Sequence, residues 1–174
     1  PSNWYETESY SRTGLEHHRG VMILDVKTKT RPKNFPFLHN KKIDDRDTLV
    51  NKNLRKCIRL MKSVKYDSDK EIGVSSYDIT ALAYCMPDYQ LDTPSWYELK
   101  LVDSCVSHLA KIIVDEIYRE SLLVPDESRK IFGSPGASIE NVSVLYLELN
   151  ELKKQIENDL GVTTRSINKA EIYY

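Results

Sequence analysis

The sequence predicts a mainly α-helical bundle with one or two short β-strands at its N-terminal end. Three observations predict it. Beyond residue 47, apolar residues recur at helical spacing over most of the chain. Pro87, Pro94, Pro125 and Gly161 fall at the ends of those stretches, where helices start or stop. One apolar run near the front, residues 20–26, is bounded by a glycine and by the charged stretch KTKTRPK, and its length suits a single strand. The chain has 174 residues, of which 40% are hydrophobic and 29% charged, which fits one domain or one large domain with a small appendage.

Taken in order, the first 20 residues are polar and aromatic without a period. After the strand, Pro32 and Pro36 enforce an extended or turning path over residues 31–39. Asp47 or Thr48 then caps a helix running to about Lys65. At 100° per residue, Leu49, Val50, Leu54, Cys57, Ile58, Leu60, Met61 and Val64 share about half its circumference, and Lys52, Arg55, Lys56, Arg59 and Lys62 share the opposite arc. Ser75 or Ser76 caps a second, mostly apolar helix that Pro87 ends. A third starts at Asp92-Thr93-Pro94, proline being tolerated in a first turn, and continues to Leu123. Trp96, Leu99, Val102, Val106, Leu109, Ile113 and Ile117 mark its inner side. A fourth runs from about Ser138 to Leu160, with Gly161 as its stop.

Composition excludes several classes. No apolar run approaches the roughly 18 residues of a membrane span, and the N-terminus lacks a signal-peptide layout, so no membrane partner is expected. Cys57, Cys85 and Cys105 are odd in number, lack CxxC spacing and lie in apolar patterns, which predicts reduced thiols and a cytoplasmic location. The net charge of −1 hides a division: residues 1–65 hold 15 Lys/Arg against 7 Asp/Glu, and the rest hold 10 against 19. The basic half is suited to an anionic partner.

Familiar catalytic patterns are few. There is no P-loop, no Rossmann glycine pattern and no HExxH. Asp67-x-Asp69 has the look of a magnesium pair but lies in a lysine-flanked connection, which favours a solvated turn. Arg12 and His17 have the spacing of some helical ribonucleases, with Gly14 between them in a segment without helical period. The basic stripe and the serine pair remain. Lysine and arginine hold phosphates, and serines at a helix start add hydroxyls and free N–H groups. Arg59, Lys62 and Ser76 would converge on one phosphate cluster if the two helices pack side by side, with Tyr77 beside them to stack on a base. A solvated stripe, an ordinary serine cap and a core tyrosine explain the same residues, and the sequence leaves both readings open.

The order of motifs narrows the choice. Arg19-Gly20-Val21 is followed by Asn34-Phe35-Pro36 with His39, then by Asn53-Leu54-Arg55-Lys56-Cys57-Ile58-Arg59-Leu60-Met61-Lys62, then by Ser75-Ser76-Tyr77. Over about residues 19–88 this resembles the second half of the oligoadenylate synthetase / cyclic GMP–AMP synthase-like nucleotidyltransferases, including the bacterial enzymes of antiphage defence. The resemblance implies that residues 1–40 are a remnant of the palm strand region with an extended linker. Residues 41–162 would form a helical nucleotide-gripping domain, and residues 163–174 a tail. By the same resemblance Lys62 holds the donor triphosphate, Ser76 touches the same phosphates, Tyr77 stacks on the base, and Arg59 supports them.

One departure is large. The family's reaction needs a Gly-Ser loop, an Asp-x-Asp strand and a third carboxylate, which hold magnesium ions. No Gly-Ser precedes an Asp-x-Asp here, and Gly133-Ser134 lies in a late loop. Asp25 reads as an ordinary strand aspartate rather than the third carboxylate. The resemblance therefore implies the C-terminal portion of a longer enzyme, a catalytic half on another polypeptide, or lost activity, and the polar, aromatic first 18 residues favour the first. Alone the chain is expected to be inert. In the complete enzyme NTP is the substrate and Mg2+ the cofactor, its ligands outside this chain. The other class left standing is a non-catalytic helical module that binds nucleic acid or an acidic protein through the basic face.

Overall fold

The computed structural model describes residues 2–5, 7–23 and 33–161, and it is mainly helical, as the periodicity predicts. A small antiparallel sheet opens the chain. In it β1 (Ser2–Tyr5) pairs with β2 (Gly20–Ile23), and β2 pairs with β3 (Lys33–Asn34). The strand expected over 20–26 is the central one of the three, and Asp25 lies outside the described residues. Between β1 and β2 the supposedly aperiodic segment contains α1 (Glu8–Thr13). Thr7 caps it by accepting the Tyr10 N–H at 2.9 Å, and Gly14 ends it at a φ of 67°. Six residues are too few for a period to register. Arg12 sits in α1 and His17 in the 3-10 turn that follows.

The path expected to be extended over 31–39 is corrected from Pro36 onward, where α2 (Pro36–Leu49) begins. Pro36 occupies the first turn, where its missing N–H costs nothing, so it starts the helix instead of preventing it. The helix expected from Asp47 or Thr48 to Lys65 is also two pieces. α2 ends at Leu49, Asn51 and Lys52 adopt left-handed φ values of 53° and 65°, and α3 (Asn53–Asp67) follows. Asp47 caps α3 from across this break, its Oδ1 accepting the Arg55 N–H at 2.9 Å. Leu49 belongs to the other helix axis and is 81% exposed rather than inside.

α4 (Ser76–Tyr84) starts where predicted, capped by Ser75, and a single turn, α5 (Asp88–Leu91), follows it. The long third helix is divided into a 3-10 turn at Ser95–Tyr97, α6 (Lys100–Val114) and α7 (Glu116–Ser121), with Asp115 capping the last through the Tyr118 N–H. The break turns the inner face. Leu101, Cys105, Leu109 and Ile112 are buried, while Trp96 (78%) and Ile117 (86%), expected inside, are exposed. α8 (Ile139–Asp159) matches its expected span, with Ser138 as cap and Gly161 at a φ of 62° as its stop.

The core lies where α3, α6 and α8 pack on one another, with α4 against α3. Leu54, Met61, Leu82, Leu109, Leu145 and Leu149 are fully buried, each contributing roughly 1.5–3 kcal/mol of apolar burial. A histidine, His108, is fully enclosed with them. His108 holds the Leu82 carbonyl through Nε2 at 2.9 Å, and burial lowers its pKa to about 4.

Candidate nucleotide site

α2, α3 and α4 meet around a cavity of about 370 Å³. His39 and Asn40 reach it from α2, Arg55 and Lys62 from α3, and Ser76 and Tyr77 from α4. The start of α4 is built locally: Ser75 Oγ accepts the Asp78 N–H at 3.0 Å and donates back to the Asp78 carboxylate at 2.7 Å. Backbone N–H groups of such a first turn lack intrahelical partners, and the dipole there favours anions. Ser76 is the first residue of the helix, and its hydroxyl lies 2.8 Å from that of Tyr66.

Tyr77 is half-buried and held on several sides. Its hydroxyl donates to Asp126 at 3.1 Å, and its ring lies on the His39 imidazole with centroids 4.4 Å apart and planes inclined by 21°. The Arg129 guanidinium stands 5.3 Å from the ring centroid and donates to Asp78 at 2.5 Å. Burial first, and the Asp126 carboxylate second, push the Tyr77 pKa above its ordinary value, so the phenol stays protonated and can donate. Burial lowers the pKa of His39 while Asp126 opposes it and Lys62 assists, so the imidazole is mainly neutral at pH 7. The far end of α4 is fastened as well, by Arg46 of α2. Arg46 donates to the Tyr84 and Met86 carbonyls and pairs with Asp88 at 2.7 Å.

The basic stripe of α3 is unevenly compensated. Lys52 donates to Thr48 at 2.8 Å, Arg55 pairs with Asp44 and Asp47, and Lys56 pairs with Glu98 at 2.7 Å. Lys62 and Arg59 have no ion-pair partner among the described residues. Lys62 faces the cavity and Arg59 does not; it stays exposed on the helix, outside the cluster expected of it. Three of the four expected residues are thus brought together. His39, Asp126 and Arg129 were not expected among them. In the sequence His39 stands out only beside the Asn34-Phe35-Pro36 motif, and Asp126 and Arg129 lie in a loop without a period.

Asp67 and Asp69 remain exposed. Among the described residues no group of three or more His, Cys, Asp or Glu stands close enough to hold a metal ion. No helix there is long and apolar enough to cross a membrane.

Known proteins resemble the chain over most of its length. The model of the cGAS/DncV-like nucleotidyltransferase C-terminal helical domain matches residues 41–156. The chain is 34% identical over 163 residues to a cyclic dinucleotide synthase CdnE of Yersinia aleksiciae, covering 92% of this chain and 42% of the relative. It superposes on the STING-associated CdnE c-di-GMP synthase of Capnocytophaga granulosa with a TM-score of 0.73 and 26% identity, over 90% of this chain and 50% of that one. The corresponding enzyme of a Flavobacteriaceae species shares the fold at a TM-score of 0.78 and 24% identity, over 91% and 45%. The chain spans half the length of these relatives or less. With two-thirds of its length matching the family's helical domain, the chain belongs to the cGAS/DncV-like nucleotidyltransferases.

Proposed function

We propose that this chain is the nucleotide-gripping C-terminal portion of an enzyme that joins ribonucleotides from NTPs into a cyclic or linear oligonucleotide signal. A cyclic dinucleotide is the product most in keeping with the relatives named above. Residues 1–40 would carry strands of the catalytic palm and residues 41–162 the grip, with the catalytic carboxylates supplied from the same or another polypeptide. The observation that carries this reading is the meeting of Lys62, Ser76 and Tyr77 at one cavity, beside a helix start and with the ammonium group unpaired.

Lys62 and Ser76 would neutralise and orient the β and γ phosphates, which favours in-line attack of a ribose hydroxyl on the α phosphate. Tyr77 would hold the base, and Arg59, outside the cavity, would act only through long-range attraction. Magnesium would stabilise the departing pyrophosphate when bound, but the described residues offer no group of three ligands, so no metal step is assigned to them. Against the other class, a nucleic-acid or acidic-protein module, stands the ion pairing of Arg55 and Lys56 within the fold, which breaks the continuity of the basic face.

Binding of GTP, ATP, GMP and AMP to the complete enzyme tests the proposal. Triphosphates should bind more tightly than monophosphates, and Lys62→Ala should cost at least about tenfold in NTP affinity, the worth of one charge-assisted contact. Unchanged NTP affinity in Lys62→Ala removes the assignment. Binding that ignores phosphate number and falls steeply with salt would indicate nucleic-acid docking instead.

A further inference from the structure

Resting on that reading, we infer that His39 reads the nucleobase at this site, a role beyond the grip of Lys62, Ser76 and Tyr77. Its imidazole is only 6% exposed, yet it walls the cavity. Neither ring nitrogen has a hydrogen-bond partner among the described residues, and Nδ1 is sealed from water. A buried polar atom left unpaired is costly, and such atoms call for a partner that arrives later.

Packing alone holds the ring. It lies flat on Tyr77, while Tyr77 is fixed through its hydroxyl by Asp126. The χ2 torsion of histidine is broad, so the imidazole can turn about it and carry a nitrogen to the cavity side with no hydrogen bond to break. The charged groups that face it are Lys62 from α3 and Asp126 from the loop before α8. A neutral imidazole offers one donor and one acceptor. That pairing suits the edge of a base. It does not suit a phosphate, which accepts only and already has Lys62. The His39–Tyr77 pair would stack on any base. The free nitrogen adds discrimination, because a site built around a hydrogen bond rejects a ligand unable to make it far better than an apolar pocket does.

Affinities of the complete enzyme for GTP, ATP, UTP and inorganic tripolyphosphate test this in the wild type, His39→Phe, His39→Asn and Lys62→Ala. His39→Phe keeps an aromatic plate without nitrogens. It should leave tripolyphosphate affinity within about twofold and shrink the preference among the three nucleotides at least about fivefold. His39→Asn, with polar atoms near the position of Nδ1, should keep more of that preference than His39→Phe. A wild type without base preference, an unchanged preference in His39→Phe, or an equal loss of all four ligands there overturns the role of His39. If Lys62→Ala still lowers tripolyphosphate affinity in any of those cases, the phosphate grip survives. If Lys62→Ala changes nothing, the underlying reading falls and His39 with it.

Discussion

Two stretches of one helix face differ in what their neighbours bring. Arg55 and Lys56, at the start of α3, meet Asp44, Asp47 and Glu98, and their charge is spent on holding α2, α3 and the segment before α6 together. Arg59 and Lys62, one to two turns later, meet no carboxylate among the described residues, and Lys62 looks across a cavity at the donor-rich start of α4. The residue types are the same in both stretches. A run of lysine and arginine is therefore not a uniform footprint, and its function lies where the fold leaves charge uncompensated.

Any pH-dependent comparison of the two stretches rides on the fold itself, where the largest effect is expected. His108 has a pKa of about 4 against 6.5 when unfolded, so the unfolded chain binds the extra proton between those values. The stabilising contribution is complete above about pH 6.5 and is lost as pH falls toward 4, on the order of 2–3 kcal/mol by linkage. His39, also lowered, adds with the same sign. Urea unfolding from pH 7 to pH 4 should show this fall, and His108→Gln, whose longer amide reaches toward the Nε2 position and keeps a donor for the Leu82 carbonyl, should flatten it. A wild type equally stable at both pH values contradicts the burial of neutral His108.

Asp47→Ala attacks the compensated stretch at its one buried carboxylate. It removes the α3 cap and a partner of Arg55, and should cost about 2 kcal/mol of unfolding free energy. Once folded, the variant should bind NTP as the wild type does; a selective loss of binding would show that the two stretches are not separate. The smallest effects sharpen the contrast most. Lys56→Ala breaks a half-exposed ion pair and should cost at most about 1 kcal/mol of stability with no change in NTP binding. Arg59→Ala should reverse that pattern, leaving the melting temperature unchanged while weakening NTP by roughly twofold to threefold, as expected for a screened charge outside the cavity.

The parts legible in the sequence depend on local rules. A serine followed by an apolar run fixed where α4 starts, and the 100° period put Lys62 on an outer face of α3, so their approach needed only adjacent packing. What stayed hidden depends on contacts distant in sequence or on backbone conformations without a residue signature. The left-handed pair Asn51 and Lys52 carries neither glycine nor proline, only the weaker signal of an asparagine, so the pattern reads as one helix where two exist. Pro36 looked like a breaker because its place as a first helical residue is visible only once the helix is known. Asp126 and Arg129 reach Tyr77 and Asp78 from about 50 residues away, from a loop where no periodicity marks a side chain's direction.

α4 is fastened by an arginine from a different element at each end, Arg46 at its finish and Arg129 beside its start. It behaves as a strut with two independent anchors, one set in α2 and one in the loop between α7 and α8, whose Val124 and Ile131 are buried on either side of Arg129. A residue added or removed at 127–128 would shift the tilt of the Tyr77 plate by moving the second anchor while the first stayed put. Leu122, Val124, Ile131 and Phe132 of that loop are themselves buried in the core, so only a change confined to its exposed turn, residues 127–128, would retune the geometry offered to an aromatic ligand without rebuilding the domain.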